Sequence, residues 1–160
     1  MRVNRRNSII AFLAAVLALS ACTADVVYSH YQPIGGEGWL RSDTICFEAG
    51  PVAETGRYGC ELCLRTNSLY PFMQLQVVVE RQIRPSGEGN TTVVDTVNVD
   101  VTDREGMVQG EGICHYLYTI PLSDMQMNSG DTLLFSVRHN MIRHQLGGVT
   151  DVGVTIRTHS

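Results

Sequence analysis

VVDTVNVDV, residues 93–101, is the stretch that decides the fold class. Its valines nearly alternate with polar residues, which is the two-residue period of a strand with one buried and one exposed face. LQVVV, residues 75–79, is a short apolar run rich in β-branched residues, which also favours a strand. No window of 11 or more residues shows a persuasive helical period. The chain is therefore predicted to be all-β.

Six further candidate strands lie on either side of these two. They cover roughly 26–31, 39–48, 57–66, 113–121, 133–137 and 152–156. Turn sequences rich in glycine, proline and asparagine separate them, such as PIGGEG at 33–38 and PSGEGN at 85–90. Many short strands divided by such turns are typical of two packed antiparallel sheets. We predict one domain over residues 27–160, an antiparallel β-sandwich of about eight strands.

The beginning of the chain has the pattern of a bacterial lipoprotein signal. Three arginines precede the apolar run IIAFLAAVLAL at 9–19, whose 11 residues are fewer than the roughly 20 that a bilayer-spanning helix needs. LSAC, residues 19–22, closely resembles the lipobox, in which the cysteine becomes acylated after signal cleavage. We expect residues 1–21 to be a signal peptide, Cys22 to carry acyl chains such as palmitate, and residues 22–26 to form a lipidated tether.

The alternative is an ordinary secretory signal, in which Cys22 has no special role. Two or more acyl chains hold a protein stably on a membrane, whereas one does not. No Asp directly follows Cys22 and no dense acidic run comes after it. By resemblance to known lipoprotein sorting rules, this favours the outer membrane, with the domain facing the periplasm.

The charge of the chain bears on its partners. From Cys22 onward it has nine arginines, no lysine and 16 acidic residues, a net charge of −7. An acidic surface argues against nucleic acid as a partner and against lying on anionic lipid. We expect contact with the membrane only through the acyl chains on Cys22.

The pair Cys60 and Cys63 in GCELC has the spacing of redox enzymes and of half a zinc site. In a strand, positions three apart face opposite ways and lie about 10 Å apart, whereas a disulfide needs Cα atoms within about 7 Å. The two thiols are therefore predicted neither to bridge each other nor to share a metal. Cys46 and Cys63 both fall on the polar faces of their strands and are candidates for a cross-strand disulfide. The alternative is that the cysteines stay reduced in or near the core.

No other motif indicates catalysis, a metal or a cofactor. The five histidines form no His-x-x-x-His pair, and the chain has neither a Gly-x-Ser-x-Gly elbow nor a phosphate-binding loop. We expect a non-enzymatic protein without catalytic residues, metal, cofactor or small-molecule substrate. An envelope hydrolase is the less favoured alternative, since it needs a cleft with two carboxylates and no spacing supports one.

Three segments, in order along the chain, carry a family resemblance. They are YQPIGGEGWLRSDTICFE at 31–48, LRTNSLYPFMQLQVVVE at 64–80 and GVTDVGVTIR at 148–157. With the lipobox, they resemble the gliding-motility lipoprotein GldH family over nearly the whole mature domain; residues 90–127 match more loosely. The resemblance implies a non-catalytic accessory component of the gliding-motility and type IX secretion machinery, which interacts with other envelope lipoproteins of that apparatus.

Two sets of residues are candidate contact or modification sites. Trp39, Tyr70 and Phe72 offer aromatic surface to a partner or, alternatively, fill the core. Thr44, Thr96 and Thr132 each follow an Asp and precede an aliphatic residue, a pattern that resembles an O-glycosylation acceptor of some gliding bacteria's envelope proteins. The structural alternative is that Asp ends a turn and Thr begins a strand. A glycan-binding envelope lipoprotein is the alternative function, for which 11 aromatic residues with one tryptophan offer little.

Overall fold

The structure is a computed structural model that describes residues 25–159, and all its regular elements are β-strands. The eight longer strands are β1 (Val26–Pro33), β3 (Ile45–Ala49), β4 (Gly56–Asn67), β5 (Gln74–Arg84), β6 (Thr91–Asp100), β7 (His115–Pro121), β9 (Thr132–His139) and β11 (Val149–Thr158). Three short strands of two or three residues are β2 (Trp39–Leu40), β8 (Met125–Met127) and β10 (Gln145–Leu146). Over this range no helix is long and apolar enough to cross a bilayer.

The longer strands form two antiparallel sheets that pack face to face. One sheet has the order β1-β11-β4-β7, and β8 pairs with β4 beyond the end of β7. The other has the order β3-β9-β5-β6, while β2 and β10 form a separate ribbon. The predicted all-β sandwich is confirmed, with eleven strands in place of about eight. The segment predicted at 39–48 divides into β2 and β3, and β8 and β10 are too short to show a period.

Alternate residues of the long strands build the interior. Leu75, Val77 and Val79 of β5 are fully buried between the sheets. Val152 and Val154 of β11, in the opposite sheet, are also fully buried in this interior. Because successive side chains of a strand point to opposite faces, the two-residue period read from the sequence becomes the core. Each such side chain contributes about 1.5–3 kcal/mol when it leaves water.

One inward position of β5 is charged. Arg81 is fully buried, and its guanidinium donates hydrogen bonds to the Asp95 carboxylate on β6 and to the backbone carbonyl of Ser123. Ser123 lies between β7 and β8, which belong to the other sheet, so Arg81 ties the two sheets together. Burial raises the pKa of the neighbouring Cys60 thiol, and the charge of Arg81 opposes that shift.

The connections lie at two opposite ends of the sandwich. The first end, which we call the loop pole, holds residues 34–44, 68–73, 101–114 and 140–148. The second end, which we call the terminal pole, holds residues 25 and 159 and the connections 50–55, 85–90 and 128–131. The chain therefore enters and leaves the described domain at the end opposite the longest connections.

Candidate interaction surface

Exposed apolar side chains concentrate at the loop pole. Among residues 25–159, ten large hydrophobic side chains are exposed, and seven of them lie in its connections: Leu40, Leu69, Met73, Met107, Val108, Ile113 and Ile142. We call these seven residues the apolar tips. Ile142 is 94% exposed and Ile113 is 89% exposed. Single exposed hydrophobic residues are ordinary, whereas exposed apolar patches mark interaction sites, so the concentration of seven tips at one pole makes this pole the candidate interaction surface.

Close backbone packing holds two of these connections together. Gly148 has a φ of 84°, and a Cβ at this position would lie 2.2 Å from the backbone nitrogen of Tyr70. The Gly148 carbonyl also accepts a hydrogen bond from the Asn67 N–H at 2.8 Å. Only glycine fits this turn, because a side chain would collide with the 68–73 connection.

Tyr70 and Phe72 have different roles within that connection. Tyr70 is 9% exposed, and its hydroxyl donates to the Gln74 carbonyl at 2.9 Å. Burial raises its pKa. Phe72 is half-buried, meets the Tyr70 ring edge to face at 5.8 Å, and has the Arg143 guanidinium 5.9 Å from its ring centre. Tyr70 thus supports Phe72, which reaches the surface.

Trp39 lies in the core and does not reach the surface. It is 1% exposed, and its indole N–H donates to the Asp43 carbonyl at 3.2 Å. Its ring meets the buried His139 ring at 5.3 Å and 76°. Burial lowers the pKa of His139, whose Nδ1 accepts the Met141 N–H at 3.3 Å. A partner has no access to Trp39 in this arrangement.

Sequence reasoning missed a cluster of polar side chains beside Phe72. Gln76 donates from Nε2 to Asn98 Oδ1 at 2.8 Å and accepts from Asn140 Nδ2 at 2.6 Å. Gln74 donates to the Asp100 carboxylate at 2.7 Å. The only signal in the sequence is that the polar residues of each strand are two positions apart, which places them on the same face of that strand.

Comparison with known proteins identifies the family. The family model described as GldH lipoprotein matches residues 26–156. The chain belongs to the GldH lipoprotein family. A protein named gliding motility lipoprotein GldH, from Flavobacterium johnsoniae, is 32% identical over 107 residues, which cover 67% of this chain and 64% of that relative. The resemblance read from the sequence is confirmed, although the alignment spans slightly less than two thirds of the relative's own length.

The cysteines of this GldH-family chain are free thiols across the described residues. Cys60 points into the core, and Cys63 lies on the opposite face of β4, where its sulfur is 3.8 Å from the Thr155 hydroxyl. Cys46 is exposed on β3, in the other sheet, 3.9 Å from the Ser136 hydroxyl. The structure therefore does not bring together Cys46 and Cys63, since strands β3 and β4 belong to opposite sheets.

The three candidate glycosylation threonines differ in exposure. Thr44 and Thr96 are exposed, whereas Thr132 is half-buried. The Asp before Thr132 is buried and accepts the Asn128 N–H at 2.8 Å, which closes the turn before β9. The Asp before Thr96 is the partner of Arg81. At these two sites the Asp has a structural role, while Asp43 is exposed.

Two further expectations concern metal and lipid. Within residues 25–159, no group of three or more His, Cys, Asp or Glu side chains is placed to hold a metal ion. Cys22, the predicted lipidation site, lies outside the described residues.

Proposed function

We propose that this chain is a lipid-anchored envelope protein that binds other envelope proteins of the gliding-motility and type IX secretion machinery and has no catalytic activity of its own. Membership in the GldH lipoprotein family supports the anchoring and the link to motility. The observation that carries the proposal is the position of the apolar tips, which lie at the pole opposite the start of the domain.

Anchoring through Cys22 would orient these tips. The Asp25 carbonyl already accepts the Thr158 N–H at 3.0 Å, so the chain joins the sheet three residues after the proposed lipidation site. Strand β1 then runs from the terminal pole to the loop pole, about 25 Å at ~3.3 Å per residue. We propose that the terminal pole faces the periplasmic leaflet of the outer membrane and that the tips project away from it.

Two carboxylates in and beside the loop pole favour a binding role over a catalytic one. The Asp103 carboxylate accepts the N–H groups of Glu105 and Met107, at 3.1 and 2.7 Å, within its own turn. Asp100 accepts from Gln74. Both acids are engaged in local structure, whereas hydrolysis of a glycoside requires a pair of carboxylates free to act on a substrate.

Site-specific crosslinking in intact cells tests the proposal. A photoreactive amino acid at Leu69 or Ile142 should yield a discrete protein adduct, because these side chains would sit in the interface. The same group at Val94, which is 58% exposed on the outer face of β6, is the control and should yield none. Equal adducts at all three positions, or none at the tips, would argue against a docking role for the loop pole.

A further inference from the structure

Two clefts meet beside Phe72 and form one continuous groove. A cleft of about 780 Å³ is lined by Phe72, Gln74, Asp100 and Arg104, among others. A second cleft of about 360 Å³ shares Phe72, Gln74 and Met141 with the first and continues along Gln76, Asn98 and Asn140. Both volumes lie in the range of small-ligand sites. We call the combined feature the amide groove.

Strand register fixes the floor of the amide groove. Gln76 pairs with Asn98, and Gln74 with Asp100, in the ten-pair ladder of β5 and β6. Asn140 follows β9 and is held by its backbone N–H, which donates to the Gln76 carbonyl at 2.9 Å. The polar groups are therefore positioned by the sheet, so a ligand would meet them already ordered.

These amides keep hydrogen-bonding capacity after binding one another. A primary amide has two N–H donors and a carbonyl with two lone pairs. Among residues 25–159, Asn98 uses its oxygen only, which leaves its NH₂ group for a ligand. Asn140 uses its NH₂ group only, which leaves its carbonyl oxygen. The floor therefore offers a donor group on Asn98 and an acceptor on Asn140, both beside Gln76.

The wall of the groove is apolar, with Phe72 as its aromatic residue beside Met73, Met141 and Ile142, and its charges nearly balance. Phe72 is shared by both clefts, and Arg143 lies against its ring. Arg104 and Arg143 offset the acidic residues Asp100, Asp103 and Glu105. A sugar presents hydroxyl groups that both donate and accept, together with an apolar C–H face that packs on an aromatic ring.

We propose that the amide groove binds a neutral glycan chain. The chemistry is shared by two classes of neutral polysaccharide, β-glucans and chains of N-acetylglucosamine. This site goes beyond the proposed protein-docking role. Ile142 also lines the second cleft, so crosslinking at Leu69, which lines neither cleft, tests the docking role apart from the groove. Asn98 and Asn140 are the binding residues, and Phe72 is the stacking surface.

Calorimetric titration of the full-length lipidated protein in nanodiscs tests the site. The probes are cellohexaose and laminarihexaose for β-glucans, and chitohexaose for chains of N-acetylglucosamine. Saturable binding of one class is expected. Asn98→Ala and Asn98→Asp should each weaken it about tenfold, since both remove the amide donors.

Thr92→Ala is the matched control. Thr92 lies on the same face of β6 but outside the groove, and the affinity of its variant should be unchanged. Trp39 fluorescence verifies that each variant is folded. No saturable binding of any probe at millimolar concentration would overturn the proposal. Equal losses of affinity in the Thr92 and Asn98 variants would also overturn it. So would saturable binding of extended peptides with no binding of the sugar probes.

Discussion

Arg81 places a positive charge in the middle of an apolar interior. Its carboxylate partner Asp95 is partly exposed, so the pair is anchored at the edge of the sandwich while the guanidinium remains fully buried. Removing one partner of a buried pair leaves the other charge uncompensated, which costs more than replacing both with apolar residues. Local stability at this point therefore depends on both residues together.

Asp95→Ala is predicted to lower the free energy of unfolding by about 3 kcal/mol, because it leaves the buried guanidinium without its carboxylate. The double variant Arg81→Met with Asp95→Val should recover most of that loss. Urea denaturation followed by Trp39 fluorescence measures both. A cost below about 1 kcal/mol for Asp95→Ala would show that Ser123 alone satisfies Arg81.

His139 is predicted to limit stability in acid. Its pKa is lowered in the folded state by burial, while an unfolded histidine has a pKa of about 6.5. Above pH ~6.5 the His139 side chain is neutral in both the folded and the unfolded state, so it costs no stability. As the pH falls through that value, the unfolded state binds the proton first. The free energy of unfolding should then fall by up to about 1.4 kcal/mol per pH unit until the folded pKa is reached.

The comparison with His139→Gln isolates this effect from other titrating groups. Glutamine stays neutral and keeps an acceptor for the Met141 N–H, so the acid limb of its stability curve should be shallower. Unfolding by urea between pH 4 and 8 gives both curves. Identical slopes would mean that His139 titrates alike in the folded and unfolded states.

Among the elements, the turn between β10 and β11 determines how the loop pole is assembled. Gly148→Ala is predicted to destabilise the domain by at least about 2 kcal/mol, from a strained positive φ and from collision with Tyr70. Gly147→Ala is the adjacent control, because nothing lies within 4 Å of a Cβ there. Thermal unfolding of the two variants measures the difference, and equal melting temperatures would contradict the tight packing of this turn.

The sequence predicts individual strands better than their partners. The period of the Val93–Val101 segment identified β6, and the apolar run at 75–79 identified β5, because burial of one face leaves a local pattern. Register between strands is not local, so the alignment of Gln76 with Asn98 could not be read from either segment. The amide groove is a consequence of that register and was therefore missed.

Cys63, on the opposite sheet, is a second residue whose surroundings a local sequence pattern does not predict. Alternation along β4 places it away from Cys60, but the outer face there is covered by Tyr31, whose ring lies over Gly153 of β11. Burial and a side-chain hydrogen bond with Cys63 raise the pKa of the Tyr31 hydroxyl to about 12. Cys63 is thus buried on a face whose sequence is polar. Neither the Tyr31 ring that covers it nor the sheet to which Cys46 belongs can be predicted from the residue spacing.

The whole molecule has two unlike ends, and their orientation to the membrane can be measured. With the full-length protein in nanodiscs that contain brominated lipid, a fluorescent amino acid at Ala53 of the terminal pole should be quenched. The same group at Ile142 should not, because the length of β1 alone separates the poles by about 25 Å. Cys22→Ala should leave the protein unbound, which checks that the acyl chains alone provide the anchor. Stronger quenching at Ile142 than at Ala53 would mean that the apolar tips enter lipid, and the loop pole would then be a membrane contact instead of a surface for protein partners.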